Sequence, residues 1–344
     1  MADTPRRPLT PDDSLPPVEP PSAAFLVQLF LVPAIIVAII VAVWLAFHWL
    51  AQLGNDPEGY VKTLRRNNEG RWQAALNFAN DLRGSGGAAL KGDAGLAQEL
   101  GSILADEVAS GRPKAAGHAG EQSKTLCGYL CRALGEFAVP EAAAPLVARA
   151  ADSSDPATAQ AAVEALAVLA DNLAKAGRSF ADPAAVTAVL LAAAGSDDAA
   201  VRSRAAYSLG VVGGTGVTAR LTALLGDAND NVRYNAAVGL ARQHDPAAWD
   251  VLEEMLTLPD VEAPAGNDVK QSERYKRAIV ALNGLKAVGL LVDATRAPPP
   301  AAVAARVAAL RKDPVPDVRT AATALAAKLE RISGSPSSSS PQEQ

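Results

Sequence analysis

Residues 201–209 read V-R-S-R-A-A-Y-S-L and residues 232–240 read V-R-Y-N-A-A-V-G-L. One pattern, V-R-x-x-A-A-x-x-L, is written twice, with Arg202 and Arg233 31 residues apart. No other feature restricts the possible folds as much. Val201, Ala205, Leu209 and Val212 recur at helical spacing and form one apolar stripe, which Ala206 widens. The template returns elsewhere with variation. Arg71, Ala74, Ala75 and Phe78 match it, and so do Cys127, Leu130, Cys131 and Leu134, with cysteine in the arginine position. Ala159, Ala162, Val163 and Leu166 make a further copy, as do Tyr275, Ala278, Ile279 and Leu282. Arg319 and Ala322 begin a last copy that slips by one residue.

The second positions of these copies are 71, 127, 159, 202, 233, 275 and 319, with gaps of 56, 32, 43, 31, 42 and 44. Periods of this size filled by helical pattern predict stacked helix pairs, each closing its apolar face only against its neighbours. A first helical stretch precedes each of the later copies, as in "DPAAVTAVLLAAA" and "GVTARLTALLG". Pro140, Pro183 and Pro246 stand where a first helical turn tolerates proline. Asp155, Asp198 and Asn229 or Asp230 stand where the second helices need caps. Alanines at the closest crossings let helix axes approach, and leucines fill the layers between. The arginine lies at the stripe's edge, its stem packed and its guanidinium directed at an acidic residue in a neighbouring turn.

The pattern V-R-x-x-A-A-x-x-L-G after an acidic turn resembles the HEAT repeat, in the short form called the PBS-lyase HEAT-like repeat. The resemblance covers about residues 55–332, strongest at 183–258 and weakest at 84–136. It implies an all-α fold, a right-handed α-solenoid of about seven helix pairs whose second helices line a concave face. It also implies a hydrogen-bonded ladder of Asp and Arg between repeats, with Arg71, Arg202, Arg233, Arg319, Asp198 and Asp230 as its members here. Cys127, Ala159 and Tyr275 depart from the pattern, so the ladder is expected to break at those three repeats. "GSGGAALKGDAG" (84–95) reads as a flexible loop, and "PDVEAPAGND" (259–268) as an insertion between the helices of one pair.

Ahead of the repeats, residues 23–53 are apolar, and no charge occurs between Glu19 and Asp56. A bilayer core needs about 20 apolar residues, so one transmembrane helix is expected there. Trp44 and Trp49 suit an interfacial belt, and Pro33 marks a slight kink or the point of entry. The run is too long for the apolar region of a cleaved signal peptide. Arg6 and Arg7 stand too far from it, across acidic and proline residues, for a twin-arginine signal. Lys62, Arg65 and Arg66 outweigh that pair and direct the repeats to the cytoplasmic side of a bacterial-type cytoplasmic membrane. The basic stretch "YVKTLRRNNEGR" either meets anionic headgroups or is a solvated helix with a topological role. Residues 1–22 (Pro-rich) and 333–344 (Ser-rich) read as disordered tails around a solenoid of 54–332.

Catalytic chemistry is sparse in the sequence. Cys127 and Cys131 share a helix face, but a zinc site needs four such ligands and no second pair exists, so both are read as packing residues. His118 falls in a linker-like stretch and His244 in a turn before a proline. "GGTG" (213–216) follows no strand and precedes no G-K-[ST], which leaves it a turn between repeats. No catalytic residue, cofactor, metal ligand or small-molecule substrate is assigned. The expected function is a membrane-anchored scaffold, not an enzyme, that binds a protein partner through its helix-pair surface. Two alternatives stand beside it. One is an accessory or lyase-type enzyme related to bilin lyases, which carry similar repeats. The other is a nucleic-acid-binding module, which a net charge of -5 opposes.

Overall fold

The computed structural model describes residues 22–53, 57–66, 68, 70–84, 87–262, 266 and 268–334. Of the expected tails, 1–22 and 333–344, residues 1–21 and 335–344 lie outside the described residues. The chain divides into two compact units between Asp56 and Pro57. In the first, helix α1 (Ala23–Leu53) runs for 31 residues with Pro33 inside it. Ser22 opens it, its hydroxyl accepting the Phe25 amide at 3.2 Å. Over Ala23–Phe47 the mean hydropathy is 3.0, and none of the described side chains is buried. Twenty-five helical residues rise about 37 Å, more than a hydrocarbon core of about 30 Å. By length and composition α1 is a candidate membrane anchor.

The second unit is a stack of helix pairs without a strand among the described residues. The first helices are α2 (Pro57–Arg65), α4 (Ala94–Ala109), α6 (Ala143–Ala150), α8 (Pro183–Ala193), α10 (Val217–Leu224), α12 (Trp249–Thr257) and α14 (Ala301–Leu310). The second helices are α3 (Arg71–Arg83), α5 (His118–Gly135), α7 (Pro156–Lys175), α9 (Ala199–Val212), α11 (Asp230–Arg242), α13 (Asp268–Thr295) and α15 (Pro316–Gly334). Each second helix packs on the next, from α3 through to α15. The apolar stripe read from the sequence is the inner surface of this stack. Val201, Ala205, Ala206 and Leu209 are buried, as are Val232, Ala236, Ala237 and Leu240. They belong to one cluster that continues from Leu64 to Leu329, so this is an all-α solenoid whose layers close on one another.

Local chemistry sets the helix starts. Asp93, Asp155, Asp182, Asp198 and Asn229 each accept main-chain amides at the N-termini of α4, α7, α8, α9 and α11. Pro156 and Pro183 stand in the first turns that follow two of these caps. The closest crossing goes one step beyond alanine. A Cβ added at Gly210 of α9 falls 2.4 Å from the Gly239 Cα of α11, so the backbones meet where neither residue has a side chain.

Four places differ from the sequence reading. Within 84–95, Leu90–Gly92 form a 3-10 turn, because Asp93 caps α4 at once and the Lys91 carbonyl accepts the Ala138 amide at 2.8 Å. His118 is the first residue of α5 and not part of a linker. Helix α15 extends through Gly334, past the expected end of the solenoid at 332. In the sixth pair the register is two residues later than Tyr275 suggests. Arg277, Ala278, Ala281 and Leu285 face inward, whereas Tyr275 is 69% and Ile279 40% exposed.

Candidate functional site

Two features of the stack carry chemistry: an arginine ladder on its edge, and the solvent face of the second helices. In the ladder, Arg202 grips both oxygens of Asp227, Nε at 2.8 Å and Nη2 at 3.0 Å, in the turn of the following pair. Its Nη1 donates to the Ser196 carbonyl at 2.9 Å and the Asp197 carbonyl at 3.0 Å in its own turn. Arg233 donates from Nη1 to the Asp227 carbonyl at 3.1 Å and from Nη2 to Glu254 of α12 at 2.6 Å. Arg319, on the last helix, donates to the Asp313 carbonyl at 2.7 Å. Each of the three reaches a carbonyl six residues back and thereby fastens the two helices of its pair. Where a further pair follows, the guanidinium also fastens the next one.

Asp198 and Asp230 have other tasks. Asp198 accepts the amides of Ala200 and Val201 at the start of its own helix. Asp230 meets Arg233 at 3.0 Å within one helix. The carboxylate that the ladder uses stands two residues before the cap: Asp227 before Asn229, and likewise Asp313 before Val315. Arg202 holds the Asp227 carboxyl below its usual range. In the sixth pair Arg277 occupies the rung. Its Nε donates to the Leu258 carbonyl at 3.3 Å, and its Nη1 meets Asp313 at 2.6 Å as an ion pair, not a well-directed hydrogen bond. Where Cys127 and Ala159 replace arginine, Ser153 and Ser196 stand where the aspartate would be. Both partners are missing together, so no carboxylate is left waiting.

The first rung is about as buried as the one at Arg277. Arg71 donates from Nε to the Leu64 carbonyl and from Nη1 to Glu107 Oε2, both at 2.7 Å. Glu107 is 1% exposed and also accepts from Arg112 and Ser123. Burial pushes its carboxyl up, but the donated hydrogens of Arg112, Ser123 and Arg71 overcome this and hold it at about 2. Above this cluster opens a cavity of about 370 Å³, walled by Trp72, His118 and Gln122. Cys127 and Cys131 are fully buried nearby. Burial, then the carboxylates of Glu107 and Asp155, push the Cys127 thiol to about 12, and burial raises Cys131 as well. Among the described residues no three His, Cys, Asp or Glu side chains come together as a metal site. His118 pairs with Gln122, one turn along α5, at 2.9 Å, and His244 takes a positive φ of 60° in its turn.

The solvent face of the second helices holds aromatic and cationic residues that the sequence reading passed over. Trp72 of α3 stacks on Tyr129 of α5 with ring centroids 6.3 Å apart. The guanidinium of Arg132 lies 5.3 Å from the Tyr129 ring, and that of Arg242 on α11 lies 5.2 Å from the Tyr207 ring of α9. Glu164 of α7 and Arg204 of α9 pair on the same face at 3.3 Å. Counted from the rung position, Tyr129, Arg204 and Ile279 share one register, and Arg132, Glu164, Tyr207, Val238 and Leu282 another three residues on.

The model of the HEAT repeats family matches residues 187–263. No curated protein matches the chain. Among solved structures, an engineered protein is similar at 19% identity and a TM-score of 0.32, over 81% of this chain and 97% of its own. YibA of E. coli is similar at 15% identity and a TM-score of 0.35, over 80% of this chain and 93% of its own. The stretch that holds Arg202, Asp227 and Arg233 thus carries HEAT repeats.

Proposed function

We propose that this chain is a membrane-anchored repeat scaffold that holds a protein partner against the solvent face of its second helices. The observation that supports it is the placement of aromatic residues in a chain where they make up only 4%. Trp72, Tyr129, Tyr207 and Tyr275 all stand on second helices and reach solvent, and two of them lie under a guanidinium. Tryptophan, tyrosine and arginine are the side chains that dominate binding energy at protein interfaces. The anchor is α1, with the repeats on the cytoplasmic side as the basic residues after it suggest. The reading assigns no reaction to the chain.

A photo-crosslinking amino acid tests this in the full-length chain in its native membrane. Placed at Tyr129 or Tyr207 it should capture one protein. Placed at Gln98 of α4 or Thr222 of α10, exposed positions on first helices, it should not. Equal capture from both faces, or none from either, overturns the reading. A reporter fused after Gln344 tests the side of the membrane, and activity only outside the cytoplasm overturns the assigned orientation.

A further inference from the structure

Helix α13 is apolar on two sides. Its inner residues Ala278, Ala281, Leu285, Val288 and Leu291 are buried against the stack. Among the described residues of the second unit, the large apolar side chains classed as exposed are Val269 (70%), Tyr275 (69%), Ile279 (40%) and Leu290 (41%), and all four are on α13. Tyr275, Ile279, half-buried Leu282 and Leu290 fall on one stripe of the helix, about 22 Å long at 1.5 Å per residue. A helix that is hydrophobic all round is normally covered all round. Packing on α11, α12 and α15 covers only the inner side.

Charge narrows what covers the rest. From Tyr275 to Val292 the helix contains no carboxylate, while exposed Lys276 and Lys286 are present. Lys286 lies in the middle of the stripe, between Leu282 and Leu290, exposed and without a salt bridge among the described residues. Arg242, on neighbouring α11, occupies the same register. A second copy of this chain across a two-fold axis would bring these cations against themselves. A membrane-surface helix carries its cations on the polar face, beside the headgroups, not within the apolar one. Val238 of α11 and Tyr207 of α9 hold the same register as Leu282, so the apolar surface widens beside the stripe at that point.

Resting on the scaffold reading, we propose that the exposed stripe of α13, with Lys286 at its centre, is the docking surface for an amphipathic helix of a partner protein that carries a carboxylate within its apolar face. Leucine-class side chains of that helix fill the spaces beside Ile279 and Leu290. Its carboxylate meets Lys286, and further acidic residues on its edge meet Arg242 and Lys276.

The test uses the full-length chain in nanodiscs of neutral lipid and a labelled 18-residue peptide. The peptide is a leucine-faced amphipathic helix with one glutamate in the apolar face. A control carries lysine there instead. Fluorescence anisotropy should show the glutamate peptide binding at least about tenfold more tightly than the control. Ile279→Ser should weaken it by about tenfold, and Lys286→Glu should reverse the preference between the peptides. Neither variant should shift the thermal midpoint, since both side chains reach solvent. Equal binding of the two peptides, or no effect of either variant, overturns the proposal. So does a chain that ignores both peptides and binds vesicles of anionic lipid, or one whose self-association is lost on Ile279→Ser. If the crosslinked partner is captured undiminished by both variants, this inference fails and the scaffold reading stands. If no partner is captured at all, the scaffold reading fails, and this proposal, which rests on it, fails with it.

Discussion

Arg277 and Asp313 meet at 2.6 Å across the last junction of the stack, with only 9% and 2% of their side chains exposed. Thirty-six residues separate them in the chain, the same separation as Arg71 and Glu107 at the first junction. Asp313 also accepts the Val315 amide at 2.9 Å and lends its carbonyl to Arg319, so one residue joins three helices. Removing Arg277 leaves a carboxylate buried without its counter-charge. Arg277→Ala should cost about 3–5 kcal/mol of unfolding free energy, read from urea denaturation of the detergent-solubilised chain. Tyr275→Ala, at the position that the bare pattern favours, should cost less than about 0.5 kcal/mol. Equal costs at the two positions would restore the earlier register.

Gly210 and Gly239 set the distance between α9 and α11. Gly210→Ala places a methyl group 2.4 Å from a backbone carbon and should destabilise by about 1–3 kcal/mol. Gly128→Ala on α5 meets nothing within 4 Å and should stabilise by up to about 1 kcal/mol, since alanine is the better helix former. Thermal melts of the two variants should therefore move in opposite directions.

The Glu107 cluster makes stability depend on pH. Its carboxyl titrates at about 2 when folded, against the usual 4.5, so the stabilisation is complete above 4.5 and is lost as pH falls toward 2. The shift corresponds to about 3 kcal/mol. Urea midpoints measured across that window should fall steeply for the native chain. Glu107→Gln should lower stability at neutral pH and flatten the slope between 4.5 and 2. An unchanged slope in that variant would assign the acid sensitivity elsewhere.

Cys127 and Cys131 should resist thiol reagents for as long as the stack is closed. Both are fully buried, and a thiol pushed to about 12 is almost wholly protonated near neutral pH. Labelling with a maleimide should track global unfolding in urea. Rapid modification of the native chain would instead reveal local opening of α5.

The stack was readable from the sequence because the inner face of each second helix obeys one spacing rule, and Val201, Ala205 and Leu209 sit where that rule puts them. The edge was harder to read. Asp198 and Asp230 attract attention as acidic residues at helix starts, yet Asp198 is occupied in capping its own helix and Asp230 meets Arg233 within one helix, not across a junction. The acceptor two residues earlier does leave a trace. Aspartate stands there at 227 and 313, ahead of a helix start that follows an arginine rung, and serine stands at 153 and 196, where the rung is absent. Arg277 was hidden by its surroundings. The R-Y-K-R run offers three cations, and the insertion at 259–268 carries the rung 19 residues from its carbonyl instead of six. The solvent face follows no such spacing rule, because only packing against the next pair imposes periodicity, and the neighbours of Tyr129 and Tyr207 there are single ring contacts that differ from pair to pair.

The absent rungs at Cys127 and Ala159 have a mechanical consequence. In a linear array each joint contributes its own share of cohesion, and the array yields where that share is smallest. From α5 to α9 the joints rest on apolar contact and neutral hydrogen bonds, such as Ser208 to the Val163 carbonyl at 2.8 Å, and the Arg204–Glu164 pair that crosses from α9 to α7 is exposed, unlike a rung. Salt or acid strong enough to loosen the two ends would act least on that middle third, where the α7–α9 ion pair is exposed and weak. Bending imposed by cargo would concentrate there, making it the compliant segment between two stiff arms.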